Sequence, residues 1–122
     1  MIQRLSGVQI GLLVAYALGM VGGQMLFKLA ALQIPPGGAA IDRAFSLVRN
    51  GYFLVALVAY FLLALLWVWI LSFTPLSRSY PFAALAFVLT PLLGGWVFGE
   101  PLSARLLAGI AAIACGLLLV AR

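Results

Sequence analysis

The nine charged residues of this 122-residue chain are so sparse that four long stretches, 5–27, 50–77, 79–99 and 106–121, carry no charge at all. A hydrocarbon core about 30 Å thick is crossed by roughly 20 helical residues. Three of the stretches are therefore long enough to span, and the fourth nearly so once Arg105 and Arg122 snorkel to the interfaces. Composition points the same way, with 66% hydrophobic residues, 7% charged and a mean hydropathy of +1.25. A soluble domain carries about 25% charged residues. The expected fold class is an all-α membrane protein, a single four-helix transmembrane domain over 1–122. Its spans are expected at about 8–32, 52–73, 80–98 and 104–120, with a short amphipathic interfacial helix at about 40–49 between the first two.

The same scarcity removes most chemistry. One cysteine, Cys115, allows neither an intrachain disulfide nor a thiol metal cluster. Without histidine there is no Ser-His or Cys-His pair, and two carboxylates far apart in sequence offer little to a metal. The expectation is a protein that is not an enzyme and has no cofactor and no metal site. A net charge of +5 arises from single arginines near helix ends, which read as anchors to lipid headgroups rather than as a nucleic-acid patch. The first apolar run is longer than a signal-peptide core and continues into Gln24 and Lys28, so it reads as a retained helix.

Pro35, Pro36, Gly37 and Gly38 end the first span. Ile41, Ala44, Phe45 and Val48 then recur at helical spacing among Asp42, Arg43, Ser46 and Arg49, as in a helix lying in the headgroup plane. In the second span the aromatics Tyr52, Phe53, Trp67, Trp69 and Phe73 fall towards the ends, as an interfacial belt would. The turn at 74–78 is short enough to make spans two and three antiparallel neighbours. Pro81, Pro91, Gly94 and Gly95 make the third span a hinge candidate, with a bend expected near 87–91; a static kink is the alternative. Ser103 suits the N-cap of the fourth helix, where Gly109, Ala112 and Gly116 share one face. Small residues let membrane helices approach closely, so this face reads as a packing seam, either between subunits or within the chain.

With alternating helices, Lys28, Asp42, Arg43, Arg49, Glu100 and Arg105 share one membrane side, and Arg4, Arg78 and Arg122 the other. Tyr16, Met20, Gln24 and Lys28 follow one another at four-residue intervals along one helix face. Lys28 either snorkels to the interface or lines an inward cavity with Gln24, holding an anionic headgroup or pairing with Glu100, the natural partner on that side. Arg43 and Arg49 are further candidates for contact with lipid phosphate.

The stretches 22–28, 74–81 and 99–103, with Gly109 to Gly116 in the fourth helix, resemble the four-helix members of the drug/metabolite transporter superfamily. Within it, the likeness is greatest to the aminoarabinose-phosphoundecaprenol flippase subunits, and it covers nearly the whole chain. Small multidrug resistance transporters carry a glutamate eight residues before the lysine matching Lys28; here that position is Met20. Tyr80 matches the tyrosine of their substrate site, but the tryptophan three residues later is Ala83. The resemblance thus implies a flippase subunit that moves an undecaprenyl-phosphate-linked amino sugar across a bacterial inner membrane. Lys28 and Gln24 would hold the phosphate, Glu100 would pair with Lys28 or the amino sugar, and Tyr80 would line the path. Membrane lipids, the polyprenyl-phosphate-linked sugar and a second four-helix chain, identical or related, are the implied partners. A proton-coupled cation exporter and an accessory membrane subunit are the alternatives.

Overall fold

In a computed structural model describing residues 6–121, the chain is all helical. Helix α1 (Gly7–Leu32) begins with a capping box, in which Ser6 Oγ accepts from the Gln9 amide (3.2 Å) and Gln9 Oε1 accepts from the Ser6 amide (2.9 Å). It ends at the Pro35-Pro36 pair, and Gly37 and Gly38 follow with φ of 83° and 89°, conformations that favour glycine. The short helix α2 (Ala40–Val48) leaves Ile41, Phe45 and Val48 exposed and packs chiefly on the next helix. Arg4 and Arg122 lie outside the described residues.

Helix α3 (Gly51–Leu71) is started by Asn50, whose Oδ1 accepts from the amides of Tyr52 (2.9 Å) and Phe53 (3.2 Å). Its Nδ2 donates to Gln33 Oε1 at 2.7 Å, tying the end of α1 to the start of α3 across the α2 excursion. One side chain thus caps a helix and closes a loop. Asn50→Ala should lower stability by about 1–2 kcal/mol, measured as reversible unfolding in mixed micelles; an unchanged midpoint would assign the loop geometry to α2 instead.

The third span is two helices, α4 (Leu76–Ala83) and α5 (Leu85–Phe98), interrupted at Ala84. The break in the helix is at Ala84, ahead of the 87–91 stretch where a bend is expected. The Phe87 amide bonds to the Ala84 carbonyl (2.9 Å), a tightened turn, while the helix continues through Pro91. Pro91 leaves the Phe87 carbonyl without its usual donor, whereas the break at Ala84 lies about two turns earlier. Gly94 and Gly95 lie inside α5 and are close-approach positions: a Cβ on Gly95 would come within 2.7 Å of the Leu102 side chain.

Helix α6 (Ala104–Ala121) starts after Ser103, whose Oγ accepts from the Leu106 amide at 3.1 Å. At its far end the Val120 carbonyl accepts from Arg78 Nη1 (3.3 Å), a cation at a helix C-terminus. The segments 7–32, 51–71 and 76–98 are long and apolar enough to cross a membrane, and α6 is a shorter apolar helix. Its 18 residues extend about 27 Å, close to a hydrocarbon core. The chain is a multi-pass membrane protein.

Helix α1 is the centre of the bundle, packed against α3 on one side and α4–α5 on the other, with α6 beyond them. Spans two and three run antiparallel, as the short turn requires, but do not pack along their length as neighbours. They meet near the turn, where the Trp67 and Tyr80 ring centroids are 6.4 Å apart. Small residues on α1 draw both flanking helices onto it: Ala17, Gly23 and Ala30 are buried, and the Leu63 side chain lies over Gly19. The turn itself is held by hydroxyls. Thr74 Oγ1 donates to the Ile70 carbonyl (2.6 Å), and buried Ser79 Oγ lies 2.7 Å from Thr74 Oγ1 and 2.9 Å from the Pro75 carbonyl.

Candidate functional site

Lys28 lies in the last two turns of α1 and Glu100 just past α5. Gly99, with φ of 67°, makes the left-handed turn that sends the chain back and sets Glu100 beside α1. Lys28 Nζ and Glu100 Oε2 are 3.8 Å apart, the one salt bridge among the described residues. Gly94 leaves room for this: a Cβ there would sit 3.3 Å from Glu100 Oε1. The pair faces a cleft of about 430 Å³ between α1 and α5, lined also by Gln24, Phe27, Thr90 and Pro91. Its walls are mostly apolar, with Lys28 and Glu100 as its charged lining.

The ion pair is loose. At 3.8 Å, with side chains 41% and 51% exposed, it stabilises the fold little, because an open pair exchanges readily with other ions. Both groups keep unused capacity: an ammonium has three donors and a carboxylate several lone pairs. A ligand carrying a negative and a positive group could take both. Thr90 adds a hydroxyl, whose oxygen is buried without a hydrogen-bond partner among the described residues.

Gln24 is fixed from behind. Its Nε2 donates to Tyr60 Oη (2.8 Å), and Tyr60 Oη donates to the Met20 carbonyl (3.1 Å). The Tyr60 ring stacks on Phe27 at 5.1 Å and occupies the hollow over Gly23, where a Cβ would approach it to 2.6 Å. Tyr60 is the residue that sequence reasoning missed. The available signal was a phenol in the middle of an otherwise apolar span, which needs a partner when removed from water.

The other expected residues disperse. Tyr80 lies by Trp67, which stacks on Tyr16 at 4.8 Å. Tyr16 is twelve residues before Lys28, about 18 Å along the axis, so Tyr80 is not brought to the cleft. Phe53 and Trp67, expected in an interfacial belt, turn onto α1, Phe53 against Phe27 at 6.0 Å. Arg49 borders a separate hollow on α2 with Asp42, Phe45 and Ser46; Arg43 is exposed on the same helix, and neither arginine lines the cleft. Of the hinge residues, Pro91 and Gly94 line the cleft, whereas Pro81 and Gly95 do not. Gly109, Ala112 and Gly116 are exposed, and a Cβ on either glycine would meet nothing within 4 Å, so no helix of this chain packs on that face.

Comparison with known proteins gives consistent relatives. The chain is 40% identical over 115 residues, 89% of its length and 91% of the relative's, to a protein of Serratia proteamaculans named a probable 4-amino-4-deoxy-L-arabinose-phosphoundecaprenol flippase subunit ArnE. It is 37% identical over 116 residues to an Erwinia tasmaniensis protein named a probable subunit ArnF of such a flippase, with 86% of this chain and 91% of that one covered. An Enterobacter ArnF is 35% identical over 105 residues, with 81% and 83% covered. No protein-family model matches the chain, and no solved structure does. With likeness to both subunits running through most of its length, over the same α1–α5 frame that carries Lys28 and Glu100, the chain belongs to the family of the ArnE and ArnF flippase subunits.

Proposed function

We propose that this chain is a subunit of a bacterial inner-membrane flippase for an undecaprenyl-phosphate-linked amino sugar, and that the Lys28–Glu100 pair is its substrate switch. The observation that carries the reading is the loose, exposed ion pair lining a mostly apolar cleft. The relatives are named for a substrate with a phosphate and an amino group. On binding, the ammonium of Lys28 passes from Glu100 to the phosphate, and the freed carboxylate takes the sugar's amino group. One internal pair becomes two intermolecular pairs, and no charge is left alone in the membrane. No covalent bond is made or broken, so the role is that of a carrier and not of an enzyme.

Gln24, held by Tyr60, adds an amide at the mouth of the cleft. Helix α2 lies in the headgroup layer, with Ile41, Phe45 and Val48 towards the acyl chains and Arg43 and Arg49 towards phosphates. The open face of Gly109, Ala112 and Gly116 receives a second four-helix chain, identical or related. The word "subunit" in the relatives' names supports that assembly.

Native mass spectrometry of the protein released from membranes tests the reading. The wild type should retain a polyprenyl-phosphate lipid and Lys28→Glu should lose it, because the substituted carboxylate repels the phosphate that the ammonium held. Equal retention by the two proteins would remove Lys28 from the site.

A further inference from the structure

A second groove adjoins the cleft. About 460 Å³ in volume, it runs between α5 and α6 and is walled by Phe87, Pro91, Leu106, Ile110 and Ile113, with Arg105 at one end. Pro91 also walls the Lys28–Glu100 cleft, so the two cavities meet across a single side chain. Their linings differ. The cleft holds a lysine, a glutamate and a glutamine, whereas the groove has only Ser103 and Arg105 as polar lining and is otherwise hydrocarbon, with Phe87 69% exposed. Arg105, at the end of the groove from which α6 starts, has no hydrogen-bond or ion-pair partner among the described residues.

We propose that the α5–α6 groove seats the hydrocarbon tail of the lipid whose phosphate occupies the Lys28 cleft, with Pro91 at the crossing point. The inference rests on the phosphate reading above and extends it to the other half of the ligand. A water-soluble sugar phosphate would use the cleft alone and a neutral lipid the groove alone. Two adjacent cavities, one holding the ion pair and the other lined chiefly by hydrocarbon, match a single amphiphile with an anionic head. Arg105 extends the positive field at that end, where a phosphate enters. The small-residue face of α6 shares Gly109 with the groove's edge. A partner helix seated there therefore walls the groove without filling it.

The test uses the full chain in phosphatidylcholine nanodiscs with added undecaprenyl phosphate. Phe87 is replaced by the photoreactive p-benzoylphenylalanine, and Phe61, 65% exposed on α3, is replaced in the same way as a lipid-facing control. Irradiation should give an undecaprenyl adduct at 87 about tenfold more often than at 61, the ratio expected if a bound chain replaces casual contact with bulk lipid. Equal yields overturn the proposal, as does cross-linking of 87 to a second protein chain instead of to lipid. Leu106→Trp, which narrows the groove, should weaken undecaprenyl phosphate binding about tenfold and leave geranyl phosphate, too short to fill the groove, within about twofold. Lys28→Ala should weaken both. If Lys28→Ala weakens both while Leu106→Trp affects neither or both equally, the tail site is wrong and the phosphate reading stands. If Lys28→Ala weakens neither, the phosphate reading fails and takes the tail site with it.

Discussion

Lys28→Ala is expected to reduce translocation of the lipid-linked amino sugar by about a hundredfold or more in proteoliposomes containing the assembled flippase, while the protein remains folded. The size follows from the environment. Removing one member of a desolvated charge pair costs roughly 2–5 kcal/mol at the bound state, because the remaining charge is stranded. Folding is spared because the Lys28–Glu100 contact is long and half exposed in the free protein. Lys28→Arg should keep part of the activity, since the charge survives in a bulkier planar group, and Lys28→Glu should keep none. Transport by Lys28→Ala at the wild-type rate would show that this lysine only snorkels.

The second large effect is expected far from any charge. Gly23→Val should destabilise the bundle by roughly 2–4 kcal/mol, because the added carbons enter the space held by the Tyr60 ring and also displace its two hydrogen bonds. Hydrogen bonds between membrane helices contribute only about 0.6 kcal/mol on average, so steric overlap dominates the expected loss. Steric trapping or denaturant titration in bicelles measures it. The double variant Gly23→Val, Tyr60→Ala gives the check. Emptying the ring's place should recover much of the loss, so the two changes together should be less damaging than their sum. Strict additivity would mean that the glycine serves α1 alone.

The spans were legible in the sequence because charges and the Pro35–Gly38 break mark where hydrocarbon-compatible stretches stop. Lys28 and Glu100 could be matched for a related reason: alternating helices leave few charged residues on each side, and opposite signs seek each other. Lateral order was hidden. Helix α3 is apolar on every side, so its sequence has no stripe to say which face meets α1, and the pairing is decided by the shapes of Gly19 and Gly23 against Leu63 and Tyr60. Tyr80 stands beside Trp67 rather than in the cleft, because family likeness carries a residue type without its neighbours; here the phenol reached by Gln24 is Tyr60. The tightened turn from Ala84 to Phe87 has no glycine or proline of its own to announce it, so the break in the third span was not legible.

The position of α1 between its two flanking partners has a consequence for how such a chain tolerates change. Apolar residues on the outward faces of α3 and α6 exchange one hydrocarbon contact for another, so swapping Leu, Val or Ile there alters almost nothing that the fold depends on. On α1, atoms added at Gly19 or Gly23 meet Leu63 and Tyr60 of α3, while Gln24 and Lys28 line the cleft against α5. The protein is permissive over most of its surface and exacting on both faces of α1 between Gly19 and Lys28, where mutational scanning should find its substitutions least forgiven.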